Sequence, residues 1–357
     1  MCSRTLPQYN ATCLSIHDTW AGIQVPEFTR FQWKVLSIVV SSFQNVLFLD
    51  ADCLPVLNPD RIFNQGSEPF TSAGLITWPD FWTSTASPLF YKVAGDMDIP
   101  PVTSRASSES GIIVYDKSRH ADTLLLAAYY NYNGPNHYYP LLSQHSAGEG
   151  DKETFLHAAL VLEALRQKGV YKQPTAWMKP GVGVKKGYYD VKKPLSGHGR
   201  TARGKWTGMF LLQMDPIEDY RAVRAAIQKA NLPHEKRDEA DATVVEDFLT
   251  NSTFLDTLGD LKLEHHGHTM FFHHSGVKPD FTHIVDEKWG LVQTNEAGKY
   301  VRMWGPVGWV IDAFGRDVEK LLWEDSMHIY CQEELAQFQR LQDVCAKMRE
   351  IYVQLYA

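Results

Sequence analysis

Asp50 and Asp52 stand one residue apart at the end of the apolar run Asn45-Val-Leu-Phe-Leu49, and Pro55, Asn58 and Pro59 follow at once. The run has the length and β-rich make-up of a buried strand, closed by those turn residues. Both carboxylates therefore fall at a strand's carboxyl end, the edge where open α/β sheets bind ligands. On alternate positions they point to the same side, and like charges so close call for a cation between them. Donors made only of oxygen suit a hard divalent ion, Mn²⁺ or Mg²⁺, that keeps positions open for phosphate oxygens. The bland alternative is an Asx-rich turn that ends a strand, and a bare D-x-D does not decide between the two.

A second cluster is Gly148-Glu149-Gly150-Asp151-Lys152-Glu153-Thr154-Phe155. It opens a helix expected over 152–168, with Asp151 placed to cap it, a buried stripe of Phe155, Ala158, Ala159, Leu162 and Leu165, and Gly169 as the stop. Capping and the helix dipole ordinarily explain acidic residues at such a start. Three carboxylates in five residues, approached by two glycines, exceed that need. Further on, five of the 14 histidines fall within residues 264–279. Phe271 and Phe272 predict a strand ending at His273-His274, whose imidazole could complete an Asp, Asp, His metal site while Lys278 meets phosphate charge. A structural or solvated histidine is the alternative.

Two smaller features could touch a sugar. Residues 73–77 read as a short strand leading into an aromatic turn, Trp78-Pro79-Asp80-Phe81-Trp82. These rings either form a platform for hexose faces, with Asp80 taking hydroxyls, or fill the core with Asp80 capping the turn. Glu109-Ser110-Gly111 enters a strand at Ile112–Tyr115, and the glycine lets backbone pass close to a ligand.

The elements that must position these residues follow from periodicity. Helices are expected over 27–43, with Lys34 read as solvated, and over 118–130, 217–230, 312–323 and 325–355. Leu335, Phe338, Leu341, Val344, Met348, Ile351 and Leu355 form one face of the last. A buried strand is expected at 209–214, an aromatic loop at 129–139 and a polar surface region at 231–260. The chain of 357 residues could hold one large or two ordinary domains, and 44% hydrophobic with 22% charged residues is a globular composition. A net charge of −7 argues against nucleic acid as a general partner, although Lys185-Lys186 and Lys192-Lys193 could face a phosphorylated ligand. No apolar run reaches the roughly 18 to 20 residues of a membrane span, and no signal peptide opens the sequence. Cys2, Cys13, Cys53, Cys331 and Cys345 show no zinc spacing and indicate no disulfide framework. The sequons at Asn10 and Asn251 are compatible with a secretory compartment.

Leu49-Asp50-Ala51-Asp52, Trp78-Pro79-Asp80-Phe81-Trp82, Glu109-Ser110-Gly111, the acidic run from Gly148 to Phe155 and Gln213-Met214-Asp215-Pro216 together resemble the fungal α-mannosyltransferases that add branch mannoses to cell-wall mannan. The likeness runs from about Phe31 to Pro279. A wider similarity links His273 to Pro279 with the histidine-glycine-lysine-proline closing motif of retaining GT-A glycosyltransferases, at a spacing one residue shorter. The resemblance implies an α/β fold of GT-A type, a Rossmann-like mixed sheet flanked by helices over residues 1–300, with a helical extension over 301–357 packed on it. It implies GDP-mannose as donor, a mannan or other α-mannoside glycan as acceptor, Mn²⁺ or Mg²⁺, and transfer with retention. Asp50 and Asp52 would hold the ion with His273 or His274, and Lys278 would lie near the leaving phosphates. Asp151 first, then Glu149 or Glu153, would stabilise the glycosyl cation or orient the acceptor. Glu109 and Asp80, with Ser110 and Gly111, would bind the donor sugar.

The family also implies a type II protein of the Golgi lumen. Only 49 residues precede Asp50, so much of the first nucleotide-binding βα unit, the stem and the membrane anchor are expected to lie outside this sequence. Two other readings remain open from the residues. A strand ending in D-x-D also begins the haloacid-dehalogenase type of Mg²⁺-dependent phosphohydrolase, although Leu54 stands where Thr or Val is usual. A glycan-binding remnant of a transferase is the other.

Overall fold

The structure is a computed structural model. It describes residues 2–3, 5–19, 28–100, 106–146, 148–170, 187–190, 194–200, 206–229, 268–274, 280–284, 293–295, 297–302, 304 and 306–356. The strands are β1 (Asn45–Leu49), β2 (Cys53–Pro55), β3 (Gly74–Thr83), β4 (Ala106–Asp116), β5 (Gly187–Asp190), β6 (Pro194–Arg200), β7 (Trp206–Met214) and β8 (Thr269–His273), with a short pair at Gln293–Thr294 and Tyr300–Val301. Helices of eight or more residues are α1 (Gln32–Val40), α2 (Ala121–Tyr132), α3 (Thr154–Gln167), α4 (Pro216–Lys229), α5 (Val307–Phe314), α6 (Val318–Tyr330) and α7 (Gln339–Tyr356).

Two four-stranded sheets form the centre. The first has the order β1-β4-β3-β5, antiparallel except for the parallel pair β3–β5, and the second has the antiparallel order β2-β8-β7-β6. Strand alternation sorts the side chains into layers. Val46, Ile113 and Tyr115 face α1, α2 and α3, meeting Val35, Ile38, Leu124, Ala127 and Phe155. Ile112, Val114, Ile76 and Trp78 face the second sheet and meet Met214, Met270 and Phe271. Phe272 faces the other way, into a third cluster with Trp304, Phe314, Trp323, Val344, Met348 and Ile351. The fold is thus α/β, layered helix, sheet, sheet, helix. Ile112, Ile113, Val114 and Tyr115 have no exposed surface because β4 is covered on both faces.

Several expected elements change. The helix expected over 27–43 is α1, and residues 20–27 lie outside the described residues. The aromatic turn at Trp78 is part of the long strand β3, whose bulges against β4 let Pro79 be accommodated. The aromatic loop at 129–139 is helical, through the end of α2, a π-turn at Gly134–Tyr138 and a short helix at Tyr139–Ser143. The two C-terminal helices become three: Gly315, at φ +73°, ends α5 and Asp317 caps α6, and the span expected over 325–355 is broken between Tyr330 and Gln339 by a 3₁₀ turn at Glu333–Gln337. Phe338, expected on the buried stripe, is exposed just before α7.

The cysteine reading is corrected. Cys2 pairs with Cys13, and Cys331 with Cys345, leaving only Cys53 free. The second bridge joins the end of α6 to α7, a contact made by the return of the chain and not visible in cysteine spacing. Among the described residues no helix is long and apolar enough to cross a membrane. The Lys185–Lys186 and Lys192–Lys193 cluster, the polar region 231–260 and Asn251 fall outside the described residues.

Candidate active site

β1 lies in the first sheet and β2 in the second, so the turn Asp50-Ala51-Asp52 is where the chain steps between them. Backbone bonds clip it in place: Asp50 N donates to Gly111 O at 2.8 Å, Cys53 N to Asp50 O at 2.9 Å and His274 N to Asp52 O at 2.9 Å. The picture of two carboxylates along one strand end is corrected by this turn. Asp50 addresses the helices on the first sheet, and Asp52 addresses β8 of the second.

On the Asp50 side the organising group is Lys34. Its Nζ lies 2.9 Å from Asp50 Oδ2 and 3.2 Å from Asp151 Oδ2, and it donates to Ser110 O at 2.9 Å and to Ser110 Oγ at 3.0 Å. Ser110 Oγ in turn lies 3.2 Å from Asp151 Oδ1. Burial works against the Lys34 charge, but Asp151, Asp50 and Glu109 outweigh it and hold the ammonium above its usual range. Burial pushes the Asp151 carboxyl up, with Lys34 pulling it back down. Lys34 was read from sequence as solvated. A signal was present: it stands four residues before buried Ile38 and next to buried Val35, at the border of the inner stripe of α1.

On the Asp52 side, His273 sits between two carboxylates. Its Nε2 is 3.5 Å from Asp52 Oδ2, and its Nδ1 is 3.5 Å from Glu109 Oε1. That same Glu109 oxygen accepts the backbone N–H groups of Ser110 at 2.8 Å and Gly111 at 2.6 Å. Gly111 is required here because a Cβ would lie 2.9 Å from both Cys53 Sγ and His273 Cε1. Burial, then the charges of Asp52 and Glu109, push the Cys53 thiol up. Four carboxylates, Asp50, Asp52, Glu109 and Asp151, thus converge on one ammonium and one imidazole. The excess negative charge and the oxygen and nitrogen donors of Asp52 and His273 fit a hard divalent ion.

His274 is corrected as a metal candidate. Its Nε2 accepts the indole N–H of Trp304 at 3.1 Å, since that N–H can only donate, and its ring packs on Phe272 and Trp304. It belongs to the core under the C-terminal helices.

The acidic helix start divides three ways. Asp151 does not cap α3; its main-chain O accepts from Thr154 N at 2.9 Å while its carboxylate turns to Lys34. Glu149, half-buried, turns the other way, with Oε2 3.0 Å from Nδ1 of exposed His145. Glu153 is corrected as a candidate acid: it is fully buried, its Oε1 accepts from Ser107 Oγ at 2.7 Å and Ser108 N at 3.1 Å, and its Oε2 lies 3.1 Å from His157 Nδ1. It anchors α3 to β4. Gly150, at φ +159°, leaves room for the Phe31 ring, which a Cβ would meet at 2.8 Å. Asp80 pairs with Lys152 at 3.4 Å, both buried. Trp78 is wholly buried and donates to Met214 O at 2.9 Å, so it is core and not a sugar platform. Lys278 lies outside the described residues.

Comparison with known proteins adds an independent line. The family model described as "Mannosyltransferase putative" matches residues 1–105 and 98–180. An alpha-1,2-mannosyltransferase of Candida albicans, MNN21, is 30% identical over 93% of this chain and 51% of its own length. The Saccharomyces cerevisiae alpha-1,2-mannosyltransferase MNN2 is 31% identical over 78% of this chain and 49% of its own, and MNN5 of that species 31% over 92% and 59%. The chain spans about half the length of the curated relatives it matches. The motifs around Asp50, Glu109 and Asp151 lie inside the matched segments, and on that ground the chain belongs to this mannosyltransferase family.

Proposed function

We propose that this chain carries the catalytic centre of an α-mannosyltransferase of GT-A type, which transfers mannose from GDP-mannose to an α-mannoside glycan with retention. The linkage proposed is the α-1,2 bond for which the relatives are named. The observation that carries the reading is the convergence of segments far apart in the chain, with Asp50 and Asp151 on Lys34, Asp52 on His273 and Glu109 facing both.

Asp52 and His273, with Asp50 beside them, would hold Mn²⁺ or Mg²⁺. Such an ion, when bound, neutralises charge on the departing diphosphate as a Lewis acid. The protein's own groups do the rest. Glu109 holds the His273 ring from behind, as carboxylates behind ligating histidines do. Lys34 and Ser110 hold the Asp151 carboxyl group aimed in a buried setting, with Lys34 offsetting part of the upward push of burial; a negative charge fixed there stabilises a developing glycosyl cation more than it would in water. Asp50 is positioned by the same ammonium.

Two disulfides in a chain with five cysteines support an oxidising compartment. The Golgi lumen is the site proposed.

The test is incubation with GDP-mannose, Mn²⁺ and an α-mannoside acceptor, reading product mass and linkage together with GDP release. No transfer, combined with no Mn²⁺-dependent affinity for GDP, would sink the proposal. Asp52→Ala is expected to lose metal-dependent donor binding. Asp151→Asn is expected to keep donor binding and lose about 10²–10³-fold in kcat.

A further inference from the structure

Cys53 has no part in the transfer chemistry described above, yet it lies at the metal corner of the site. One donor atom each from Asp52, Cys53 and His273 fall within 4.8 Å of one another, and all three residues are buried. Asp52 and Cys53 adjoin in sequence, and His273 is opposite Cys53 in the β2–β8 register. Gly111 is what leaves thiol and imidazole side by side, since a Cβ there would strike both. A single ion holding such donors at about 2.0–2.3 Å would draw them to about 3.3–3.8 Å apart. The contraction of about 1 Å is within reach of side-chain rotation.

We propose that Asp52, Cys53 and His273 form a mixed oxygen, sulfur and nitrogen site that captures a soft divalent ion, Zn²⁺ or Cd²⁺, in competition with the hard ion of the transfer reaction. The competition rests on the functional reading above; the capture does not. Ligand softness sets the division: thiolate favours Zn²⁺ and Cd²⁺, whereas Mn²⁺ and Mg²⁺ take the carboxylate oxygens and leave sulfur aside. On capture the metal–sulfur bond replaces the S–H bond, and the proton passes to buffer. Glu109, 3.5 Å from His273 Nδ1, holds the ring with Nε2 toward Asp52 in both cases. The predicted result is a transferase poisoned by soft metals at its own ion site.

Because the other four cysteines are paired, a sulfur-to-metal signal can come only from Cys53. The purified, disulfide-intact chain is titrated with Cd²⁺ under argon, and the near-ultraviolet thiolate-to-metal absorption is followed. One equivalent should saturate the band, and Cys53→Ser should abolish it. His273→Gln and Asp52→Asn should each raise the half-saturating Cd²⁺ at least tenfold, with circular dichroism verifying that the variants fold. A 100-fold excess of Mn²⁺ should raise it similarly in the parent. No band in the unaltered protein would overturn the proposal without any variant, as would a band that survives Cys53→Ser. A band indifferent to Mn²⁺ removes the shared site. A Cd²⁺ band with no mannose transfer under any metal leaves this site standing and removes the transferase reading.

Discussion

Lys34 shows how one side chain can hold a site together. It is buried, with Asp50 and Asp151 as partners on either side. Removing one member of a buried ion pair strands the other, which costs about 3–5 kcal/mol, whereas removing both for apolar groups is far cheaper. Lys34→Met is therefore expected to destabilise strongly, and adding Asp151→Leu to restore much of the loss. A double-mutant cycle by urea denaturation measures this. Strictly additive losses would mean that the two do not act as a pair. The histidine pair gives a second comparison. His273→Gln should weaken Mn²⁺ binding tenfold or more with little change in melting temperature. His274→Ala should lower stability by about 1–3 kcal/mol through the lost Trp304 bond and leave Mn²⁺ affinity close to the parent's. Calorimetric metal titration and thermal melts separate the two.

At the scale of elements, legibility depended on whether an element is specified by its own pattern. β1, β4, β7, β8 and α3 were readable because each carries its apolar period within a short window, as in Asn45–Leu49 or Phe155 to Leu162. The turn between Asp50 and Asp52 was not readable as a crossing between sheets, since that depends on which strands β1 and β2 later find. His274 was indistinguishable from His273 for the same reason: its partner, Trp304, lies 30 residues on. Trp78 stayed between sugar platform and core filling because aromatic composition does not tell a buried face from an exposed one. The C-terminal helices were misplaced because the apolar period runs on through the 3₁₀ turn at Glu333–Gln337 and across the break at Gly315. At that break Asp317 caps α6, accepting from Lys320 N at 3.1 Å, and pairs with Arg302 at 2.6 Å. Burial opposes its charge, but the bonds from Arg302 and the Lys320 N–H outweigh it and hold the carboxyl below its usual value. A carboxyl depressed on folding contributes stability above its unfolded pKa of about 3.9 and loses it as pH falls through the folded value. Asp317→Asn should thus lower the melting temperature at pH 6 and converge with the parent as pH drops below about 4. A gap that does not narrow as pH falls would show that the carboxylate's charge is not what the cap uses.

The whole molecule sets the distance between the halves of the site. Lys34, Asp50, Ser110 and Asp151 ride on the first sheet and its helices, whereas Cys53 and His273 belong to the second sheet. Glu109 spans the two, from β4 to His273. The core between the sheets keeps that span fixed, and Trp78 is its main fastening: its indole donates to Met214 O at the end of β7 and meets Phe271 on β8 edge-on at 5.5 Å. Gln213 adds a bond from β7 to Pro79 O at 3.1 Å. Trp78→Phe keeps a ring but removes the N–H, which should cost about 1–3 kcal/mol and lower the melting temperature by several degrees. If register between the sheets sets the site, the same change should also weaken Mn²⁺ binding several-fold, although the N–H it removes donates to Met214 O and not to a proposed ligand. Val344→Ala, in the C-terminal core, is the control, since it loses comparable stability in a cluster that packs behind β8 and away from the sheet-to-sheet seam. Equal losses of metal affinity in the two variants would reflect general loosening. A loss confined to Trp78→Phe would tie the site's geometry to the packing of one sheet on the other.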